Sequence, residues 1–491
     1  MPTPLSLATL PRIADRVAVP RYARERLSPG ILHLGMGNFH RAHQAVYLDR
    51  LFNLGRDHDW AIVGAGIMPF DAARRAALAP QDWLGTVVEM SPEGYGARVT
   101  GAMVDFCPTE AAAIVERLAD PAIRIVSLTI TEGGYFIDAE TGRFDAEHPD
   151  IRHDARTPET PRSVFGILLA GLARRRAAGH PAPTILSCDN IPHNGDVTRQ
   201  ALEGLAALVS PDLRDWVAGH VACPNSMVDH ITPATTDATR AMVAERFGIR
   251  DAAPVVCEPF SQWVMEDNFP LGRPALEEVG AQFVADVLPY ETMKLRILNA
   301  GHAAIAYPAA LFGIAHVHEA MADPDIAGWL RHLMRAEVIP VLAPIPGTDY
   351  DAYLQTCARR FSNPEMGDTI ARLCQDGSNR QPKFVLPTIR EALAAGRPVA
   401  ALALEVALWC RYCAKAEPLD DIRAPALRRA ARATRSDPGA FLALGEVFGA
   451  LGREPRFAEA FARQIGALWA EGPRAALRAC LERAPKAGGA P

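Results

Sequence analysis

The chain has 491 residues, of which 49% are hydrophobic and 22% are charged. This composition is typical of a globular protein of two or three domains and excludes a disordered or fibrous protein. Asp and Glu number 57 and Lys and Arg number 51, so the formal net charge is −6. Because no strong positive field is available to hold a polyanion, the charge argues against nucleic acid as the main partner.

Nine cysteines are scattered along the chain without the dense spacing of a disulfide framework. This predicts reduced thiols in a cytoplasmic protein. Cys410 and Cys413 form a lone CxxC inside a helical pattern, and we predict no metal site there. The first ten residues lack the pattern of a secretory signal, and the most apolar segment, 301–314, is too short to span a bilayer. We therefore expect no membrane partner.

The first half of the chain alternates short apolar runs with helical patterns. The predicted strands are 31–34, 60–66, 86–90, 97–100, 123–130 and 183–188. The predicted helices between them are 39–54, 71–79, 110–118 and 163–178. Such alternation indicates βαβ units and a mostly parallel sheet, which binds ligands where its strands end.

From 290 to 483 the pattern is almost wholly helical and is interrupted by Pro and Gly. The clearest predicted helices are 291–307, 326–339, 350–360, 366–374, 388–395, 399–416 and 455–468. The sequence therefore predicts an α/β domain over 1–286, followed by an all-α domain over 287–491.

A glycine-rich segment stands between the first predicted strand and the first helix. Gly35 would allow a tight turn, and Gly37 would let the backbone approach a pyrophosphate. The helix that begins near Asn38 and Phe39 would then hold the phosphates. The third glycine of a dinucleotide fingerprint is replaced by His40, so an ordinary strand-to-helix turn is the alternative.

Asp71 is the first acid after the second predicted strand. An acid in this region binds the adenosine ribose and favours NAD over NADP. Asp71 as a plain helix cap is an equal alternative.

Polar residues follow three further apolar runs. Glu132 precedes two glycines, Asn190 lies in the polar run 187–195, and Asp229 adjoins apolar residues in 224–233. An amide such as Asn190 can stabilise an oxyanion or bind a hydroxyl without carrying charge. The alternatives are an exposed turn, a turn asparagine and a structural hydrogen bond.

Lys294, Asn299 and His302 lie close together in a helical pattern. At about 100° per residue they fall within an arc of roughly 140° on an α-helix. A lysine among apolar neighbours is partly desolvated, so its pKa should fall from about 10.4 toward neutrality. That would make Lys294 a general base for a hydroxyl proton, with Asn299 and His302 donating to the same oxygen. The alternative is an amphipathic helix whose Lys and Arg reach solvent.

Six segments in this order resemble the mannitol dehydrogenase family, the polyol-specific long-chain dehydrogenases and reductases. They are GMGNFHRAHQAVYLD from 35, TITEGGY from 129, CDNIPHNG from 188, NSMVDHITP from 225, YETMKLRILNAGH from 290 and DGSNRQPKF from 376. The resemblance implies an N-terminal Rossmann-type domain, a C-terminal helical domain and a site in the cleft between them. It also implies NAD as cofactor and metal-free interconversion of a polyol and a ketose.

The resemblance assigns catalytic roles to five residues. Lys294 matches the family's general base, and Asn299 and Asn190 match the amides that hold the reacting oxygen. His302 matches a residue that positions substrate. Glu132 matches an acid that helps to pass the proton to solvent. This set fits alcohol oxidation, in which NAD accepts the hydride and the protein handles the proton.

Asp229, Arg372 and Arg380 fall where the family contacts substrate. His230 stands where Arg is expected, and Arg380 stands where mannitol enzymes often have Lys. Since Arg retains the charge of Lys but changes hydrogen-bond geometry, these departures leave open whether the polyol is mannitol, arabinitol or sorbitol.

Two rival functions stay open. A hexuronate reductase of the same family would hold a substrate carboxylate with Arg372, Arg380 and Lys383. A non-catalytic dinucleotide-binding regulator would not need the complete set of base and amides. As partners we expect a small polyol or ketose, and a monomer rather than an oligomer.

Overall fold

The computed structural model describes residues 1–138 and 141–482. The chain divides into two compact units, Met1–Leu288 and Pro289–Pro491. This division lies two residues beyond the boundary placed from the sequence. Residue 483, the end of the predicted helical stretch, lies outside the described residues.

A five-stranded parallel sheet forms the centre of the first unit, in the order β6-β3-β2-β7-β8. Its strands are β2 (Pro29–Leu34), β3 (Ala61–Ala65), β6 (Met103–Phe106), β7 (Ile125–Leu128) and β8 (Thr184–Ser187). The strand order reverses between β2 and β7. In open α/β sheets ligands bind at such a reversal, outside the carboxyl ends of the strands.

Three smaller sheets complete the first unit: β1-β10, β11-β4-β5 and β13-β12-β9. Their strands are β1 (Thr3–Pro4), β4 (Gly85–Ser91), β5 (Gly94–Thr100), β9 (Ser226–Asp229), β10 (Ile249–Arg250), β11 (Val255–Cys257), β12 (Gln262–Glu266) and β13 (Gln282–Val284). The predicted strands 86–90 and 97–100 belong to β4 and β5, which pair antiparallel outside the central sheet. Only two residues connect β4 to β5, and so short a link permits a hairpin but no parallel crossover.

Nine α-helices lie within the described part of the first unit. They are α1 (Asn38–Ala42), α2 (Gln44–Asn53), α3 (Pro69–Leu78), α4 (Ala111–Ala119), α5 (Pro149–Arg156), α6 (Val164–Ala177), α7 (Asn194–Val209), α8 (Pro211–His220) and α9 (Asp237–Phe247). The predicted helix 39–54 is broken at His43, which has the backbone angles φ −113° and ψ −90°.

Alternate residues of the central strands pack into two different hydrophobic clusters. Leu32 and Val126 belong to one cluster, with residues of α4, α6 and α7. Ile31 and Ile125 belong to the other, with residues of α2 and β12. Because successive side chains of a strand point to opposite faces, both faces of the sheet are covered, as a parallel sheet requires.

The second unit is helical throughout its described part. Its α-helices are α10 (Leu288–Met293, which begins at the division), α11 (Ala300–Phe312), α12 (Val317–Ala322), α13 (Pro324–Leu333), α14 (Tyr350–Phe361), α15 (Ile370–Cys374), α16 (Gly377–Phe384), α17 (Leu386–Ala394), α18 (Ala400–Lys415), α19 (Ala424–Ala433), α20 (Gly445–Phe448), α21 (Pro455–Ala470) and α22 (Pro473–Glu482). Two π-helical segments, Lys294–Asn299 and Met334–Val338, interrupt this series.

The helical core is built on α18, which packs on α11, α19 and α21. Trp409 of α18 contacts Phe441 edge to face, with the ring centroids 4.9 Å apart. Together the two units confirm the predicted fold class, a Rossmann-type α/β domain followed by a mainly helical domain. Among the described residues, no helix combines the length and apolar composition needed to cross a bilayer.

Candidate active site

The glycine turn after β2 has the geometry of a dinucleotide-binding loop. Gly35 has φ +99°, and a Cβ there would lie 2.1 Å from the Thr129 carbonyl oxygen. Gly37 has open space instead, since its nearest neighbour would be the Gly35 carbonyl oxygen at 3.8 Å. No side chain caps the start of α1. Gly35 thus permits the turn, and Gly37 leaves the space that a pyrophosphate needs, so these residues fit NAD.

The Asn38 side chain forms hydrogen bonds with other residues of the protein. Its Nδ2 donates to the Pro233 carbonyl and to Thr235 Oγ1, each at 3.0 Å, and Arg41 donates to its Oδ1 at 2.7 Å. The side chain therefore ties the glycine turn to the segment after β9. Phe39 is half-buried and stacks on His43, with the ring centroids 4.8 Å apart.

A buried histidine, which belongs to none of the predicted site residues, lies directly under the turn. His33 Nδ1 is 2.8 Å from Ser127 Oγ, and Nε2 is 2.9 Å from Thr129 Oγ1. Thr129 Oγ1 donates to the Gly35 carbonyl at 2.6 Å. Burial lowers the pKa of His33 to about 3, so the ring is neutral. A polar residue inside an apolar strand was the one signal in the sequence.

Asp71 lies against Gly66, which directly follows β3. A Cβ on Gly66 would meet the Asp71 carboxylate at 2.3 Å. The same carboxylate accepts a hydrogen bond from the Met68 N–H at 3.0 Å, and burial raises its pKa. Asp71 caps the start of α3, and its contact with a ribose stays a prediction.

Asp189 connects the segments that contain Glu132 and Asn190. It follows β8, and its carboxylate accepts from the backbone N–H groups of Ile130 and Thr131, each at 2.9 Å. Glu132 begins a short 3₁₀ turn and is exposed, and Asn190 directly follows Asp189 and is exposed. The structure thus ties two of the predicted catalytic segments together at the carboxyl edge of the sheet, beside the glycine turn.

The same edge holds the start of β9. Asn194 donates to the carbonyls of Ser187, Asp189 and Ser226 and accepts from the Ser226 N–H at 2.8 Å. Asp229 ends β9 and is 5% exposed. Asn194 is thus a structural residue of the polar run 187–195, and it is not among the predicted site residues.

In the helical unit, Lys294 and Asn299 are the two ends of a π-helix. The regular α-helical spacing assumed for them was therefore wrong. Because π-helical hydrogen bonds join residues i and i+5, Lys294 and Asn299 lie one turn apart on the same face. Lys294 is 8% exposed. Arg296 points into the helical core, where it donates to Thr388 Oγ1 at 2.6 Å and to Glu391 at 2.8 Å.

Asn299 offers an unused polar atom. Its Oδ1 is buried and has no hydrogen-bond partner among the described residues. The two ends of an amide side chain are exchanged by a half-turn, so the unpaired end can serve as acceptor or donor. His302 lies one helical turn further and packs on Phe361, with the ring centroids 4.1 Å apart.

Asp368 brings His302 and Arg372 together. Arg372 donates to both Asp368 oxygens at 2.6 Å. The pKa of Asp368 lies below its ordinary value. Burial alone would raise this pKa, but the hydrogen bonds and charge of Arg372, with a smaller contribution from His302, outweigh the effect of burial. Arg380 donates to the carbonyls of Arg372 and Leu373 at the end of α15. The helical unit thus holds Lys294 and Asn299 on one π-helical turn, and Asp368 interacts with both Arg372 and His302.

Among residues 1–138 and 141–482, His, Cys, Asp and Glu side chains form no group of three that could hold a metal ion.

Two family models match the chain. The mannitol dehydrogenase Rossmann domain matches residues 29–278, and the mannitol dehydrogenase C-terminal domain matches residues 286–469. These matches confirm the resemblance inferred from the six motifs.

Individual relatives cover nearly the whole chain. A mannitol 2-dehydrogenase from Cereibacter sphaeroides is 53% identical over 95% of this chain and 99% of its own length. The Pseudomonas fluorescens mannitol 2-dehydrogenase, solved as a ternary complex with NAD and D-mannitol, is 44% identical, covers 98% of this chain and 100% of its own, and has a TM-score of 0.83. A D-sorbitol dehydrogenase structure in substrate-free form is 34% identical, covers 96% and 100%, and has a TM-score of 0.90.

Proposed function

Because this chain belongs to the mannitol dehydrogenase family, we propose that it catalyses the NAD-dependent oxidation of a polyol to a ketose. The observation that carries the proposal is its similarity over almost the full length to mannitol 2-dehydrogenases. D-Mannitol is the first candidate substrate, and D-sorbitol and D-arabinitol are the next.

The glycine turn would hold the cofactor. The space beside Gly37 and the uncapped start of α1 are suited to the pyrophosphate, and Asp71 would face the ribose. When bound, NAD supplies the acceptor for the hydride.

Lys294 takes the proton of the reacting hydroxyl in this proposal. Lys294 is 8% exposed, and a lysine amine set within a site can act as a general base. Asn299 and Asn190 hold the oxygen as negative charge develops on it, and Glu132, which is exposed, passes the proton to solvent. No residue here is asked to bind a metal ion.

Asp229, His302, Arg372 and Arg380 orient the substrate. Both oxygens of Asp368 and two backbone carbonyls already occupy donors of the two arginines. The remaining guanidinium donors of the two arginines would bind substrate hydroxyls. A hexuronate reductase would need arginines free to pair with a substrate carboxylate, whereas Arg372 is already paired with Asp368.

The test is NADH formation, followed by absorbance, with NAD and a panel of substrates. The panel contains D-mannitol, D-arabinitol, D-sorbitol and xylitol beside D-mannonate and D-altronate. Turnover of a neutral polyol supports the proposal and ranks the substrates. Turnover of the aldonates alone would move the chain to the hexuronate reductases. If the protein binds NADH but oxidises no substrate of the panel, the result would favour the non-catalytic regulator.

A further inference from the structure

Asp189 has a carboxylate that is fully engaged by one neighbouring segment. Its Oδ1 accepts from the Thr131 N–H at 2.9 Å. Its Oδ2 accepts from the Ile130 N–H at 2.9 Å and from the Tyr135 hydroxyl at 2.7 Å. All three donors belong to 130–135, the segment that contains Glu132, while Asp189 itself is 9% exposed. A buried carboxylate with three donors is a strong and directional anchor.

The Asp189 carboxylate binds the backbone at Thr131, where the backbone is strained. Thr131 has φ +65° and ψ 163°, a conformation that β-branched residues rarely adopt. Such strain persists only where the surroundings impose it, and it gathers at functional sites. The Asp189 carboxylate holds the N–H of Thr131, and Glu132 follows directly.

The other end of the segment is closed by Tyr135. This side chain is fully buried, and its hydroxyl lies 2.6 Å from Ser187 Oγ as well as 2.7 Å from Asp189. The backbone of Asp189 is fixed in turn, since Asn194 donates to its carbonyl at 3.1 Å. The next residue along the chain is Asn190.

We propose that Asp189 is a positioning residue for catalysis, which fixes Glu132 through the backbone before it and Asn190 through its own backbone. This rests on the proposed function, in which Glu132 passes on the proton and Asn190 holds the reacting oxygen. Asp189 itself touches neither substrate nor cofactor in this role. One buried carboxylate thereby fixes the positions of two catalytic side chains.

The test uses Asp189→Asn in the full-length chain. The amide keeps the size of the side chain but turns one of its two acceptor atoms into a donor, which opposes a backbone N–H. We expect kcat for the best polyol to fall about 10²-fold, because small misplacements of catalytic groups cost that much. The dissociation constant for NADH, measured by fluorescence titration, stays near the wild-type value. Amide hydrogen exchange accelerates in 130–136.

A double-mutant cycle with Glu132→Gln separates positioning from general loss of stability. If Asp189 acts through Glu132 as well as Asn190, the loss of kcat in the double variant is smaller than the product of the two single losses, because only the effect through Asn190 then remains for Asp189→Asn. Effects that multiply fully would overturn the inference. Tyr135→Phe removes one of the three donors only, and it keeps the test decisive if Asp189→Asn does not fold.

Asp154→Asn is the matched control. Asp154 is 2% exposed and accepts from the Arg162 N–H at 2.8 Å and from the N–H and hydroxyl of Ser163 at 2.9 and 2.6 Å. Its replacement should lower the melting temperature and leave kcat near the wild-type value. An equal loss of kcat in this control would show that Asp189 is merely structural.

Wild-type turnover separates the two proposals. If the wild type oxidises a polyol and Asp189→Asn loses less than about tenfold in kcat, the positioning role is wrong and the proposed function stands. If the wild type oxidises no polyol, the proposed function is wrong, and the positioning role of Asp189 is wrong with it.

Discussion

Glu405 should make the helical unit less stable as the pH rises. It lies on α18, is 1% exposed, and accepts one hydrogen bond, from Gln381 Nε2 at 2.7 Å. Its other oxygen has no partner among the described residues. Burial raises the pKa of this carboxyl from its ordinary value of 4.5 to about 8. In the folded protein Glu405 is therefore protonated at neutral pH.

The sign of the effect follows from proton binding. Below pH 4.5 the carboxyl is protonated in both states. Between 4.5 and 8 the folded chain keeps a proton that the unfolded chain has released, so stability falls with rising pH. The slope is about 1.4 kcal/mol per pH unit well below pH 8 and falls to half of that at pH 8, which gives about 2 kcal/mol from pH 6 to 8. For a unit of this size, that corresponds to roughly 4–8 °C in melting temperature.

Glu405→Gln removes the titration and keeps an acceptor for Gln381. We expect the melting temperature of the variant, relative to the wild type, to rise between pH 6 and 8 and to level off above about pH 8. Differential scanning calorimetry at matched ionic strength measures this difference. Glu446→Gln is the control, since its side chain is 82% exposed and its curve should run parallel to the wild type. A difference between Glu405→Gln and wild type that does not vary with pH would refute the reasoning.

Four further predictions concern the candidate site. Lys294→Ala should lower kcat about 10²–10⁴-fold, while the affinity for NADH, measured by titration, stays unchanged. A variant that keeps more than about a tenth of wild-type turnover is incompatible with a general base at this position. Asp71→Asn should reduce the ratio of kcat/KM with NAD to that with NADP, and an unchanged ratio would assign the ribose to another residue. Gly35→Ala should destabilise the fold, because its Cβ would overlap the Thr129 carbonyl. Gly37→Ala should instead keep the wild-type melting temperature and lose affinity for NADH. Normal affinity for NADH in Gly37→Ala would place the pyrophosphate elsewhere. Dialysis against EDTA should leave turnover unchanged, and a loss that zinc restores would contradict the metal-free mechanism.

The polar residues at the strand ends could be found from sequence but not related to each other. Glu132 and Asn190 stand in separate motifs 58 positions apart. Nothing local indicates that the carboxylate of Asp189 takes the N–H groups of Ile130 and Thr131. Hydrogen bonds between strands that are distant along the chain depend on the order of the sheet, and that order is a property of the folded protein.

The helix with Lys294 shows a different limit. Its apolar spacing predicted a regular helix, and a helix is present, but Lys294–Asn299 is π-helical. Apolar periodicity is too coarse to distinguish i→i+4 from i→i+5 hydrogen bonding over six residues. The change places Lys294 and Asn299 on one face, as a shared site requires.

The fold class could be predicted without any contact, since alternating apolar runs and helical periodicity are local consequences of which side chains must be buried. The sequence also determined the family, because six motifs are recognisable without knowledge of any contact. Only the folded chain shows that Asp189 anchors Thr131 and that Glu405 is buried with one hydrogen-bond partner. These features arise where distant segments meet, and there desolvation and the supply of hydrogen-bond partners set the free energy of each group.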